Sequence, residues 1–287
     1  MGAANVINAT YAAVTRTGGA AGTAWHQRDT GLLYVPPEIK LTSPPSSEGV
    51  TTQVRFREGL WIRNFELHNR AAATISVGIG GRIANRHWIA GTLTSDNATF
   101  TDRTSGYQAQ TATIFGSDAD VNDGVCILSR TKFDWVSVNL TTAEVNGSAG
   151  ASVDHTVRYS TGATWTTLGA NAATTDNFTL TDTVYTAAVK NLVMFSPADW
   201  AVTASLGGVP NGYYGVLFTS AQAAADDTAA IVTGIEIGKM LALEGLADNG
   251  VWEVENIDYY MPEADGIVAY FSTANAGNRV YCEVLTR

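Results

Sequence analysis

KFDWVSVNL (Lys132–Leu140), HTVRYS (His155–Ser160), TWTTL (Thr164–Leu168), NLVMFSPADWA (Asn191–Ala201) and GYYGVLFT (Gly212–Thr219) are five short segments that together decide the fold. Each carries an aromatic or aliphatic anchor. In the first, Phe133, Trp135, Val136, Val138 and Leu140 are interleaved with Asp134, Ser137 and Asn139, close to the two-residue period of a strand with one buried face. Turn formers fill the gaps, as in Ser160-Thr161-Gly162 and Pro210-Asn211-Gly212. Such spacing predicts an all-β chain of antiparallel β-sandwich domains, jelly-roll or immunoglobulin-like, with little helix.

Outward from this centre, VTTQVRF, LWIRNFELHN, ATISVGIGG and HWIAGTL read as strands before it, and IEIGKMLALEG, VWEVENIDYYM, DGIVAYFST and NRVYCEVLT as strands after it. The second and third of the leading set are expected to form a hairpin about Asn69-Arg70-Ala71-Ala72. If the two outer sets share a domain, residues 48–93 plus 235–287 make a discontinuous base sandwich and residues 94–234 an inserted one. The boundaries then fall in the polar or small-residue runs Thr94–Asn97 and Ala224–Asp227. Residues 1–47 read as an extended N-terminal arm. Gly18, Gly19 and Gly22 interrupt any helix, while Pro36-Pro37 and Pro44-Pro45 enforce extended backbone. Trp25, Leu32, Leu33 and Tyr34 are its expected anchors on a neighbouring subunit or, alternatively, on its own body; in the first case removing residues 2–35 abolishes incorporation and spares the melting temperature, and in the second it costs stability.

The order FDWVSVNLTTA, VRYSTGATWTTL, TTDNFTLTD, FSPADWA, GYYGVLFTS resembles a β-sandwich module of tailed-bacteriophage virion proteins. Its sharpest elements are Tyr159 with Trp165, the turn Pro197-Ala198-Asp199-Trp200, and Tyr213-Tyr214. Where that family carries an arginine after the last aromatic pair, this chain has Gly215 and Val216. IRNFELHNRAAATISVGIG and LEGLADNGVWEVENIDYYMPEADGIVAYFSTANAGNRVYCEVL are likewise similar to the opening and closing strands of a small virion sandwich. The resemblance implies a particle component assembled in a host bacterial cytoplasm.

Composition is consistent with that expectation. The chain has 287 residues, 45% hydrophobic and only 15% charged, which suits stacked sheets better than salt-bridged surface helices. A net charge of -10, with its 17 basic residues scattered, argues against a nucleic-acid partner, because phosphate binding requires clustered cations. No apolar run approaches the roughly 20 residues of a membrane-spanning helix. The opening MGAANVINATYAAV has neither the basic start nor the apolar core of a secretion signal. Cys126 and Cys282 each sit in an apolar strand-like run and are expected as buried free thiols.

Catalytic signals are thin. His26, His68, His87 and His155 have no ligand spacing, and no nucleophile elbow accompanies any serine. Glu253, Glu255 and Asp258 supply carboxylates, but any strand-rich surface does so by chance. The run Asp118-Ala119-Asp120-Val121-Asn122-Asp123-Gly124 approaches a calcium loop. However, its glycine falls one place late, and Ser129 stands where a bidentate glutamate is needed. No catalytic, cofactor or metal residue is therefore assigned. Adjacent tyrosines on a strand face opposite ways, so one of Tyr213-Tyr214 and one of Tyr259-Tyr260 are expected to point outward as interface anchors, or as glycan contacts. The expected function is non-enzymatic: a virion structural protein that binds other virion proteins and forms a homo-oligomer, without nucleic acid or membrane. Head decoration is the first location, and a tail, baseplate or glycan-binding fibre component the alternative.

Overall fold

The computed structural model describes residues 7–15, 24–28, 59–94, 99–109, 113–114, 123–142, 155–169, 173–176, 181–182, 189–194, 197–220, 231–271 and 279–286. The strand expected over Val50–Phe56, and the expected boundary residues 95–97 and 224–227, lie outside them. The chain divides into two compact units, Met1–Ala84 with Gly238–Arg287, and Asn85–Ile237.

The structure is all-β, as the alternation predicts. The strands are β1 (Ile7–Thr15), β2 (Ala24–Arg28), β3 (Leu60–His68), β4 (Ile75–Ile83), β5 (Trp88–Thr94), β6 (Thr99–Asp102), β7 (Thr113–Ile114), β8 (Asp123–Ser129), β9 (Trp135–Thr142) and β10 (His155–Ser160). They continue as β11 (Trp165–Thr167), β12 (Ala173–Asp176), β13 (Thr181–Asp182), β14 (Val189–Met194), β15 (Tyr214–Ser220), β16 (Ile231–Leu246), β17 (Val251–Val254), β18 (Tyr259–Met261), β19 (Ala264–Phe271) and β20 (Arg279–Thr286). Among the described residues the one α-helix, α1, is the short Thr104–Ala109, and a 3-10 turn spans Asn85–His87.

In the first unit, one antiparallel layer runs β1-β20-β3-β17, with β18 also on β3; the other runs β2-β19-β4 and the later part of β16. Leu60, Ile62, Phe65 and Leu67 of β3 pack against Ile75, Val77 and Ile79 of β4 and Ile267 and Ala269 of β19. The sequence of β3 explains this geometry. Its apolar period holds through Leu60 and Ile62, slips by one residue at Arg63-Asn64, and resumes at Phe65 and Leu67. A bulge opposite Glu283 and Val284 absorbs the slip, which keeps both halves of the strand facing the core. The β17–β18 connection grips that bulge: Ile257 N donates to Arg63 O at 2.8 Å and Asn256 N to Asn64 Oδ1 at 2.7 Å.

The expected hairpin of β3 and β4 is corrected by the structure, because the two strands belong to different layers. The cause is Asn69, which turns a tight-looking sequence into a corner. Its buried Nδ2 donates to Ala73 O, Leu246 O and Ala247 O, each at 2.8 Å, and its Oδ1 accepts Ala71 N–H at 2.8 Å. Its backbone N also donates to Gly250 O at 3.0 Å. The crossing from β3 to β4 is thus fastened to the crossing from β16 to β17.

Where it is described, the arm docks on the chain's own sheets and not on a neighbouring subunit. β1 pairs with β20 and β2 with β19, so both described segments of residues 1–47 are strands of the chain's own sheets. The alanine-rich INATYAAVT conceals strand character, since the sheet partner and not side-chain propensity decides it. Of the expected anchors, Trp25 falls in β2, while Leu32, Leu33 and Tyr34 lie outside the described residues.

Between β4 and β19, Arg82 Nη1 contacts both Asp265 oxygens at 2.6 and 2.8 Å, with both side chains buried. Asp265 sits where the pairing of these strands slips, between Ala264 and Gly266. Losing either partner leaves an uncompensated buried charge, a cost of about 3–5 kcal/mol, although the intact pair itself adds little.

The second unit is built on the sheet β11-β10-β15-β8-β5-β6, with β13 also on β10, while β12, β14 and β9 pair in that order and β7 pairs with the first part of β16. The pairing registers place Trp88, Ala90, Val125, Ile127, Val216, Phe218 and Val157 on one face of the larger sheet. Leu93, Cys126, Leu128 and Leu217 occupy the other, and both sets are buried. Burial on two faces is why VCIL and VLF read as continuous apolar runs and not as alternation. Two glycines make room on the second face. A Cβ at Gly91 would come within 2.7 Å of the Phe100 ring, and one at Gly215 within 2.9 Å of Trp165.

Asn69→Ala is expected to cost about 3 kcal/mol, because it strands the buried Leu246 carbonyl and Ala71 N–H, frees two part-buried carbonyls and leaves a small cavity; chemical denaturation against wild type measures it. Deleting residues 2–35 removes β1 and β2, and calorimetry should show a melting temperature lowered by about 5 °C or more.

Candidate functional site

The residues singled out by the sequence converge in part at one end of the second unit's larger sheet. Three connections meet there: Arg130–Asp134 between β8 and β9, Thr161–Thr164 between β10 and β11, and Pro197–Tyr213 before β15. Ser160, fully buried, ties the start of the second to the third. Its hydroxyl donates to Ala201 O at 2.7 Å and accepts Gly215 N–H at 2.9 Å, while its carbonyl accepts Ala201 N–H at 3.0 Å.

Trp200 is the wedge under these loops. The turn Pro197–Trp200 closes through Trp200 N to Pro197 O at 3.1 Å, which drives the indole inward. There it meets Phe133 and Tyr214 edge-on, with ring centroids 5.2 and 5.7 Å away. The Lys132 ammonium lies 5.5 Å from the Tyr214 ring centre and 5.9 Å from that of Trp200, and the Arg130 guanidinium lies 5.5 Å from Tyr213. Contacts of this kind contribute about 0.5–1 kcal/mol each at half-exposed positions. The Tyr159 hydroxyl donates to Asp199 Oδ1 at 3.0 Å. Burial, then the bond to Asp199 and its charge, raise the Tyr159 phenol above its ordinary value.

The longest of the three connections is pinned across its neck. Thr203 N donates to Tyr213 O at 2.7 Å, Gly212 N to Thr203 O at 2.8 Å, and the Thr203 hydroxyl to Pro210 O at 2.6 Å. Leu206 and Val209 fill the interior, giving an Ω-loop stiffened from within. Its outer surface carries Ala204, Ser205, Gly207, Gly208, Asn211 and Gly212, beside Val202 at 39% exposure. Across from it, the hydroxyl of Thr161 lies 2.7 Å from that of Thr164 and 3.2 Å from that of Thr166, next to half-buried Trp165. These groups can stack, donate and accept hydrogen bonds, so the arrangement is chemically suited to non-covalent contact.

The structure does not gather the remaining titratable residues there. His68 pairs with Glu66 on β3, with Arg70 Nη2 3.2 Å from its Nδ1, and His87 accepts from Arg86 Nε at 3.3 Å. The side chains of His26 and His155 lie outside the described residues, as does the run Asp118–Asn122. Glu253 stands opposite Glu66 across β17 and β3, Glu255 is exposed, and Asp258 is 3.8 Å from Arg63 at a solvated rim. Among the described residues no cluster of three or more histidine, cysteine or acidic side chains could hold a metal ion.

The tyrosine pairs split. Tyr259 is 39% exposed while Tyr260 stacks on Trp61 at 4.5 Å, one out and one packed. Tyr213 and Tyr214 are both half-buried: Tyr213 packs against the cluster of Leu128, Val209 and Leu217 and Tyr214 against Trp200, with a cation from the β8–β9 turn over each ring. Sequence reasoning missed Arg130 and Lys132 in this role; their only signal was the basic pair flanking Thr131, just before Phe133. Cys126 is a free, buried thiol, and burial pushes it well above its ordinary value. Burial likewise lifts the fully buried Tyr107 phenol. The side chain of Cys282 lies outside the described residues.

No family model matches the chain, and neither a curated protein nor a solved structure matches it.

Cys126 and Tyr107 hold their protons more tightly folded than unfolded. The stability they confer is whole below the ordinary thiol and phenol values of about 8.5 and 10, and declines as pH rises above them. A Cys282→Ser variant, with Cys126 as its remaining thiol, should therefore resist an aromatic disulfide reagent at pH of about 8 until denaturant is added; rapid native-state labelling would contradict the burial.

Proposed function

We propose that the protein is a non-enzymatic structural component of a tailed-phage particle, a head-decoration protein that binds neighbouring virion proteins and copies of itself. It reaches the virion after assembly in the host bacterial cytoplasm. The observation that carries this reading is the construction of the loop end of the second unit. Ser160, Thr203 and the Lys132 contacts fix three loops internally, so their surface meets a partner without first being ordered. The similarity of strands around Tyr159, Trp165, Pro197–Trp200 and Tyr213-Tyr214 to virion sandwiches supports the same reading. With β1 and β2 engaged in the chain's own sheets, neighbours are contacted through sandwich faces and loops instead of an arm. Symmetric repetition on a particle then turns weak single contacts into stable attachment.

A second reading has its own observation in its favour. Half-buried Trp165 stands beside the Thr161, Thr164 and Thr166 hydroxyls of the β10–β11 turn, and half-buried Tyr213 and Tyr214 end another connection at the same end of the sheet, a combination that suits a sugar ring and fits a tail, baseplate or fibre component.

Light scattering of the purified protein, followed by co-sedimentation with phage capsids and with tails, separates the two. Decoration requires attachment to capsids. Attachment to tails alone, together with glycan-array signals lost in Trp165→Ala, would replace the first reading with the second.

A further inference from the structure

We propose that Asn249 is a site of spontaneous deamidation, promoted by the guanidinium of Arg70. Among the described residues two asparagines precede glycine, Asn211 and Asn249, and a following glycine leaves its backbone nitrogen unhindered as a nucleophile toward the side-chain amide. The two differ in what surrounds that amide.

At Asn211 both reacting groups are locked within the pinned Ω-loop. Its Oδ1 accepts Ser205 N–H at 2.9 Å, and Gly212 N donates to Thr203 O at 2.8 Å, inside the neck formed by Thr203 and Tyr213. Freeing the nucleophile there means opening the neck.

Asn249 is exposed at the third position of the turn Ala247–Gly250, in the left-handed region at φ 55°. A single turn bond, Gly250 N to Ala247 O at 2.9 Å, must open to release the nucleophile. The electrophile is already placed in a polarising field. Arg70 Nη1 lies 3.4 Å from Asn249 Oδ1 and 3.2 Å from its carbonyl oxygen, while Nδ2 donates to Asp248 Oδ1 at 2.8 Å.

The chemistry balances with water alone. Gly250 N attacks Asn249 Cγ and gives its proton to solvent base, and negative charge develops on Oδ1, where the nearby guanidinium stabilises it. As Oδ1 reforms its carbonyl, Nδ2 takes a proton from water and the C–Nδ2 bond breaks, releasing ammonia and leaving a cyclic imide. Water opens that imide at either carbonyl, giving aspartate or isoaspartate, with no change of oxidation state. The isoaspartyl product lengthens the backbone by one carbon next to Gly250, whose carbonyl receives the Asn69 N–H. Modification therefore acts on the corner that fastens the two crossings of the first unit, and the modified fraction should melt at a lower temperature.

The test is to age the full chain at physiological temperature and mildly alkaline pH, following ammonia release, isoaspartate and the peptides that contain each asparagine. Asn249 is expected to convert before Asn211. Arg70→Ala is expected to slow Asn249 by about fivefold, well short of the loss at a desolvated oxyanion site because the contact is exposed. Arg70→Lys, which keeps the charge, should retain most of the rate. Earlier conversion of Asn211, or Arg70→Ala ageing as fast as wild type or faster, would overturn the proposal.

Discussion

The first unit depends on the buried carboxamide of Asn69. A sandwich needs its layers joined at the ends, and backbone that crosses from one to the other leaves the ladder and must find other hydrogen-bond partners. Here one side chain serves carbonyls from both crossings, Ala73 from one and Leu246 and Ala247 from the other. The constraint spreads through β3, which pairs with β17, β18 and β20. With the start of the crossing fixed and the slip at Arg63-Asn64 absorbed, Leu60, Ile62, Phe65 and Leu67 can all face the core.

The second unit solves its packing differently. Its larger sheet is apolar on both faces, so aromatic side chains from neighbouring connections and edge strands close over what would otherwise be an exposed surface. Phe100 lies against Gly91, and Trp165 lies against Gly215. The same Trp165 flanks the threonine hydroxyls of the β10–β11 turn. Packing and surface thus share a residue: the ring that covers Gly215 also borders an exposed turn.

Fold class and most strands were legible from alternation and turn chemistry; β10 matches HTVRYS at both ends, and β15 and β19 differ by only a few residues from their apolar runs. Three things were not. The layer change after His68 was hidden because Asn-Arg-Ala-Ala looks like an ordinary tight turn, and only burial shows Asn69 working as a corner. The strand nature of Ile7–Thr15 was hidden because alanine and threonine have little pattern of their own, and a distant partner strand decides their state. At the loop end, Tyr213 and Tyr214 were legible as special but not as covered, because the Arg130 and Lys132 that cover them come from a connection far away in sequence.

The pairing of β1 with β20 also bears on the order in which the protein can be made. Ile7 aligns with Thr286, and the whole of the second unit is encoded between these strands. As the chain leaves the ribosome, the second unit has all its strands long before the first unit has its own, and local closure favours folding it first. Ile7–Thr15 must wait for Arg279–Thr286. Throughout that interval β3 lacks β17, β18 and β20, its partners in the finished sheet, so the unfinished first unit presents a strand edge that the completed protein covers.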